Sequence, residues 1–103
     1  MNKIKSNRKL AAIMFADIVS YSRLMGINEQ RTLKLLNDFD DMCLPIVDKY
    51  NGMIIKKNGD QIFCEFSSAK NAVDASIEIQ ENLYHYNDSC PKDFKLEARI
   101  GIH

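Results

Sequence analysis

Two carboxylates and an amine stand apart by type and position as residues able to do chemistry: Asp17, Asp60 and Lys56. Asp17 is the one charge inside the apolar run of residues 10–19, LAAIMFADIV. An unpaired carboxylate is costly in a low-dielectric core, which places Asp17 at a strand end, accepting hydrogen bonds from the next turn or holding a cation. Asp60 follows Asn58-Gly59 and, taken alone, reads as turn chemistry. Lys56 beside Lys57, taken alone, reads as a solvated pair. Brought to one rim, the three read differently. Two ionised carboxylates repel unless a cation sits between them, and hard oxygen ligands select Mg²⁺ or Mn²⁺ over zinc. Mg²⁺ takes one or two carboxylates and completes its shell with water and substrate phosphates. The turn from Ile18 to Ser22 offers amides and hydroxyls to phosphate oxygens. Phosphoryl chemistry is the reading these residues support.

The elements that must position them follow from periodicity. Residues 10–19 have the length and the Ile, Phe and Val content of a central strand. Residues 20–28 read as a connection, with Asn28 as N-cap and Glu29 in the first turn of a helix. Leu33, Leu36, Phe39 or Asp40, Cys43, Ile46 or Val47, and Tyr50 recur at helical steps. Pro45 predicts a kink or break near Met42, and Asn51-Gly52 the helix end. Residues 53–57 and 61–66 read as strands of a hairpin around Asn58-Gly59. Ser67 or Ser68 caps a second helix carrying Ala69, Ala72, Val73, Ser76, Ile77, Gln80, Leu83 and Tyr84 on one face. Residues 87–93, with Pro91, read as a loop, and residues 94–103 alternate as a half-buried strand. The βαββαβ order is the ferredoxin-like α+β plan. Right-handed crossovers then give a four-stranded antiparallel sheet, order 4-1-3-2, with two helices on one face. That plan brings the end of strand 1, the end of strand 2 and the start of strand 3, with Asp17, Lys56 and Asp60, to one edge.

Charge narrows the partners. Lys plus Arg and Asp plus Glu balance at 14 each, and the basic cluster Lys3, Lys5, Arg8 and Lys9 falls in a polar stretch. Residues 1–8 are expected to be a disordered tail, and residues 9–103 one domain, at most, of modest core. Three cysteines without CxxC spacing, no signal-peptide pattern and no run approaching a membrane span suit a reduced cytoplasmic setting without membrane contact by this segment.

The stretch Arg8 to Ser22, RKLAAIMFADIVSYS, resembles the opening of bacterial class III adenylate cyclase domains, and Leu24-Met25-Gly26, Glu29 and Thr32 continue it in register. Lys56-Lys57-Asn58-Gly59-Asp60 is similar to that family's K-x-x-G-D, residues 65–69 (EFSSA) to E-F-x-S-A, and residues 99–103 to R-I-G-I-H. The likeness spans nearly the whole chain and implies conversion of ATP to 3′,5′-cyclic AMP and pyrophosphate. It implies that Asp17, Asp60 and the Ile18 carbonyl would hold two Mg²⁺ or Mn²⁺ ions. Those ions would activate the ribose 3′-hydroxyl and anchor the triphosphate. Val19, Ser20, Tyr21 and Ser22 would hold phosphates. Lys56 would contact adenine, where guanylate cyclases usually carry glutamate; an ammonium donor suits adenine N1. The family's sites lie between two antiparallel domains, so a homodimer is expected in which Lys56 serves the partner subunit's Asp17 and Asp60. Ser20 departs from the usual glycine, tightening the phosphate turn. The family's transition-state asparagine and arginine lie beyond R-I-G-I-H, so this chain alone is expected to be inactive, such arginines being worth roughly 10³–10⁵ in rate.

Two other readings compete. One is a catalytically dead metal- or nucleotide-binding, or dimerisation, module of the same type. The other is an RNA-recognition domain, which shares the element order and would use Phe15, Phe63 and Phe66. Zero net charge and the lack of an RNP1-like motif argue against nucleic acid.

Overall fold

In the computed structural model, which describes residues 11–90 and 94–103, the apolar run around Asp17 forms β1 (Ala12–Ile18). Then come α1 (Tyr21–Ile27), α2 (Glu29–Lys49), β2 (Met53–Asn58), β3 (Gln61–Phe66), α3 (Ala69–Asn87) and β4 (Ala98–Ile102). The expected tail, its basic cluster and Pro91 lie outside the described residues. The sheet order is β2-β3-β1-β4 with every neighbouring pair antiparallel, the expected topology.

Alternation decides the two faces of the sheet. Ala12, Met14, Ala16 and Ile18 of β1 and Ile62, Cys64 and Phe66 of β3 are buried in one core with Phe39, Cys43 and Val47 of α2 and Ala72, Ala75 and Ile79 of α3. The Ser76 hydroxyl reaching Met14 Sδ at 3.3 Å fixes α3 over β1. Ile13, Phe15 and Asp17 point to the opposite face, as do Gln61, Phe63 and Glu65. Phe15 is 43% exposed there.

Five details differ from the sequence reading. The last strand, expected over residues 94–103, spans only Ala98–Ile102. Residues 21–27, read as part of a connection, form the short helix α1, which buries Leu24 beside α2. Helix α2 runs unbroken through Pro45. The hydrogen bond that proline forfeits would reach the Asp41 carbonyl, and both residues are exposed, so water can serve that carbonyl. The buried stripe of α2 is Thr32, Leu35, Phe39, Cys43, Ile46 and Val47, leaving Leu33 45% exposed. In α3 the buried stripe is Ala72, Ala75, Ile79 and Leu83, while Val73, Ile77 and Tyr84 are exposed. Helix α3 carries two apolar stripes, and periodicity does not say which meets the sheet. The second lines an open groove of about 460 Å³ with Ile100 and Ile102 of β4.

Local chemistry closes each element. The Asn28 side chain accepts from Arg31 N, and that of Ser68 from Asn71 N, as N-caps do. Helix α2 ends in a Schellman motif, with Asn51 at φ 62 and bonds from Asn51 N to Asp48 O and Gly52 N to Val47 O. A Cβ on Gly52 would lie 2.5 Å from the Phe66 ring and 2.8 Å from Val47 Cγ1. Tyr86 donates to Asp38 Oδ2 at 2.6 Å and so ties α3 to α2. Burial acts to raise the Asp38 carboxyl, but the Tyr86 hydroxyl and the Lys34 ammonium outweigh it and hold the group below its ordinary range.

Gly52→Ala should lower stability by about 1–3 kcal/mol through overpacking. Gly26→Ala, in α1 with nothing within 4 Å, should raise it by up to about 1 kcal/mol; urea denaturation reads both. Because Asp38 titrates lower folded than unfolded, its stabilisation is present above the unfolded value and fades as pH falls through the folded one. The stability difference between wild type and Tyr86→Phe should therefore be largest at neutral pH and shrink in acid.

Candidate functional site

Register brings Asp17 and Asp60 to the same end of the sheet. Ala16 pairs with Ile62, so the next step along the ladder sets Ile18 opposite Asp60, just beyond the start of β3. The side chain takes over where the backbone ladder stops: Ile18 N donates to Asp60 Oδ2 at 3.0 Å. In a strand a residue's N–H and C=O point to the same side, so the Ile18 carbonyl also faces the Asp60 turn.

The turn that presents Asp60 has central residues Gly59 and Asp60, since Asn58 and Gln61 are already paired. Gly59 has φ 62 and Asp60 is not positive, the pattern of a type II′ turn with glycine first. Lys57 braces it. Its Nζ donates to Gly59 O at 3.0 Å and pairs with Asp40 Oδ2 of α2 at 3.0 Å, on the helix side of the sheet.

Asp17 lies on the helix-free face, directly opposite Arg99 of β4. Arg99 Nε donates to Asp17 Oδ1 at 3.0 Å and its second terminal nitrogen to Oδ2 at 3.3 Å, a forked ion pair. The side chains are 19% exposed for Asp17 and 70% for Arg99.

Lys56 stands elsewhere on the same face. It pairs with Phe63, which pairs with Phe15, which pairs with Gly101, forming one row across four strands. Two strand spacings, about 10 Å, separate Lys56 laterally from β1, and its row is one step in from that of Asp17. Within one chain Lys56 is thus not brought against Asp17. A slip in register between Ile54 and Lys56 aims Lys56 to this face while Lys57 turns to the helices. Phe15 lies over Gly101, where a Cβ would be 2.3 Å from the ring, so the glycine of the R-I-G-I-H stretch is required by the aromatic above it.

Residues 19–22 follow directly from β1. Val19 N donates to Glu97 O at 2.8 Å, and Ser20 turns into the left-handed region at φ 60, ψ 32. Ser20 caps α1 without a side-chain hydrogen bond, and the first intrahelical bond is Leu24 N to Ser20 O. The first-turn amides at Tyr21, Ser22 and Arg23 therefore have no intrahelical acceptor. The departure from glycine at Ser20 has a physical cost here, since a left-handed L-residue is strained by about 1–2 kcal/mol.

Among the described residues no group of three or more His, Cys, Asp or Glu forms a metal cluster. Two carboxylates and a backbone carbonyl suit Mg²⁺ or Mn²⁺, which fill the remaining positions from water and phosphate. The cysteines do not compete. Burial pushes the Cys43 thiol up to about 12, helped by Cys64 and Asp40, and the Cys64 thiol up to about 11. Sequence reasoning missed Arg99 and the Lys57 brace. Strand alternation did put Arg99 on the polar side of the last strand, but nothing in the sequence states the β1–β4 register that sets it against Asp17.

Ser20→Gly should relieve the left-handed strain. Offset by glycine's greater unfolded-state freedom, the net gain should be about 0.5–1 kcal/mol, read as a rise in Tm of about 2–8 °C.

No family model matches the chain. It is 37% identical over 103 residues to "Putative adenylate cyclase 3" of Rhizobium meliloti, covering 99% of this chain and 18% of that protein. An adenylate/guanylate cyclase/hydrolase structure from Silicibacter pomeroyi matches with 31% identity and a TM-score of 0.80, over 89% of this chain and 54% of the other. A bacterial light-regulated adenylyl cyclase shares the fold at a TM-score of 0.82 and 23% identity, over 89% of this chain and 51% of the other. The chain thus spans about half the length of those solved structures and less than a fifth of the curated relative. In sequence and fold alike, it matches part of a class III nucleotide cyclase domain.

Proposed function

We propose that the domain to which this chain belongs converts ATP to 3′,5′-cyclic AMP and pyrophosphate, and that this chain by itself is close to inert. The carrying observation is that Asp17 and Asp60 stand at the same end of the sheet, with Asp60 bonded to the amide of Ile18, the residue next to Asp17. Asp17, Asp60 and the Ile18 carbonyl would hold Mg²⁺ or Mn²⁺, two per site. Bound there, the ions would supply Lewis-acid activation of the attacking hydroxyl and charge neutralisation of the triphosphate. Val19, Ser20, Tyr21 and Ser22 would present amides and hydroxyls to phosphate oxygens at the same rim. Lys56 would donate from its ammonium to adenine N1, where guanine presents a donor of its own.

The helix-free face supports a homodimer. Phe15 and Phe63 stack at 6.2 Å between centroids, and Phe15, Met53 and Ile55 are exposed at 43%, 60% and 52%. An apolar sheet face left open by the described residues in this way marks an interaction surface. A second copy laid antiparallel on it would bring Lys56 to the partner subunit's Asp17 and Asp60, which resolves the lateral separation within one chain. No helix among the described residues is long and apolar enough to cross a membrane, and Cys43, Cys64 and Cys90 are unpaired, which fits a reducing cytoplasm where ATP is at hand. A metal- or nucleotide-binding module without turnover is the second reading, favoured by the hold of Arg99 on Asp17.

A chain extended past His103 to full domain length should form cyclic AMP from ATP with Mn²⁺. Asp17→Ala should lower kcat by on the order of a hundredfold or more, since groups that merely orient a metal's ligands are worth about 10- to 100-fold. Lys56→Glu should move the preference from ATP toward GTP. An extended, folded, nucleotide-binding domain that yields no cyclic nucleotide would establish the second reading instead.

A further inference from the structure

We propose that Arg99 is an exchangeable counter-charge for Asp17. Its guanidinium holds both carboxylate oxygens while the rim lacks a divalent cation, and it releases them when one arrives. The inference rests on reading Asp17 as a cation ligand.

Four observations carry it. The fork uses both oxygens of Asp17, at 3.0 and 3.3 Å, so a cation approaching that carboxylate meets a positive charge already bound to it. The partners are unequal: the carboxylate is fixed on a central strand and 19% exposed, whereas the guanidinium is 70% exposed on a long, rotatable stem. The sheet does not need the pair for its register, because β1 and β4 are bonded through their backbones from Ile13 with His103 to Val19 with Glu97. Finally, the neighbouring carboxylate accepts from a donor fixed in the backbone, Ile18 N on Asp60 Oδ2. One carboxylate at this rim thus has a fixed donor, and the other a detachable one.

The energetics favour exchange. An exposed ion pair contributes little net stability, whereas a divalent ion at the same carboxylate repels a guanidinium left within a few ångströms. Release places a free guanidinium on the rim that Val19 to Ser22 also border, since Val19 N bonds Glu97 O two residues before Arg99.

The test is NMR of the chain titrated with Mg²⁺, following the Arg99 Nε–Hε signal together with the Asp17 and Asp60 side-chain carbons. The expected result is a hydrogen-bonded Hε without Mg²⁺ that is lost with the same midpoint at which the Asp17 and Asp60 carbons shift. Arg99→Gln should then tighten Mn²⁺ binding, read by the paramagnetic resonance of free Mn²⁺, on the order of two- to fivefold, the worth of an exposed pair. Carboxylate shifts with an unmoved Arg99 Hε would overturn the exchange while sparing the cation site. No shift at either aspartate at millimolar Mg²⁺ would overturn both.

Discussion

One hydrogen bond organises the rim. Strand β3 begins one residue too late to pair its backbone with Ile18, and the Asp60 carboxylate accepts the amide that would otherwise be left over. A buried amide must find an acceptor, and Ile18 is 2% exposed. The requirement is met by a charged acceptor, which anchors the hairpin tip to the end of the central strand. It also sets one carboxylate a single residue from another, and the Lys57 bridge between Gly59 and Asp40 fixes the height of the tip from below.

The helix-free face follows from the same alternation. Every residue that β1 sends to the core is matched by one sent outward, so burying Ala12, Met14, Ala16 and Ile18 obliges Ile13, Phe15 and Asp17 to share the open side. Asp17 could not sit among the core residues without a partner in a medium that solvates charge poorly. The aromatic row beside it closes over Gly101, whose missing side chain leaves room for the Phe15 ring. An open face that is apolar in its middle and charged at its rim suits a face covered by another polypeptide.

Charge at the rim is balanced unequally, by a fixed amide for Asp60 and by a solvent-exposed guanidinium for Asp17. The strained turn at Ser20 and the short helix α1 border the same place. A left-handed serine, helix-start amides without an intrahelical acceptor and an exposed guanidinium are thus gathered in one region.

Much of this was legible in the residues. The period-2 and period-3.6 patterns, the Asn28 and Ser68 caps, the Asn51-Gly52 helix end and the Asn58-Gly59 hairpin determined the element order and, with right-handed crossovers, the sheet topology. The placement of Asp17 and Asp60 at one edge followed from that topology. Tertiary structure alone decided three things. It chose between the two apolar stripes of α3, because a helix with two such faces is turned by what it packs against. It let α2 continue through Pro45, because the forfeited bond falls on an exposed face. And it set Arg99 against Asp17, since which residue of a distant strand stands opposite another depends on register between segments 82 positions apart, information that no local pattern carries.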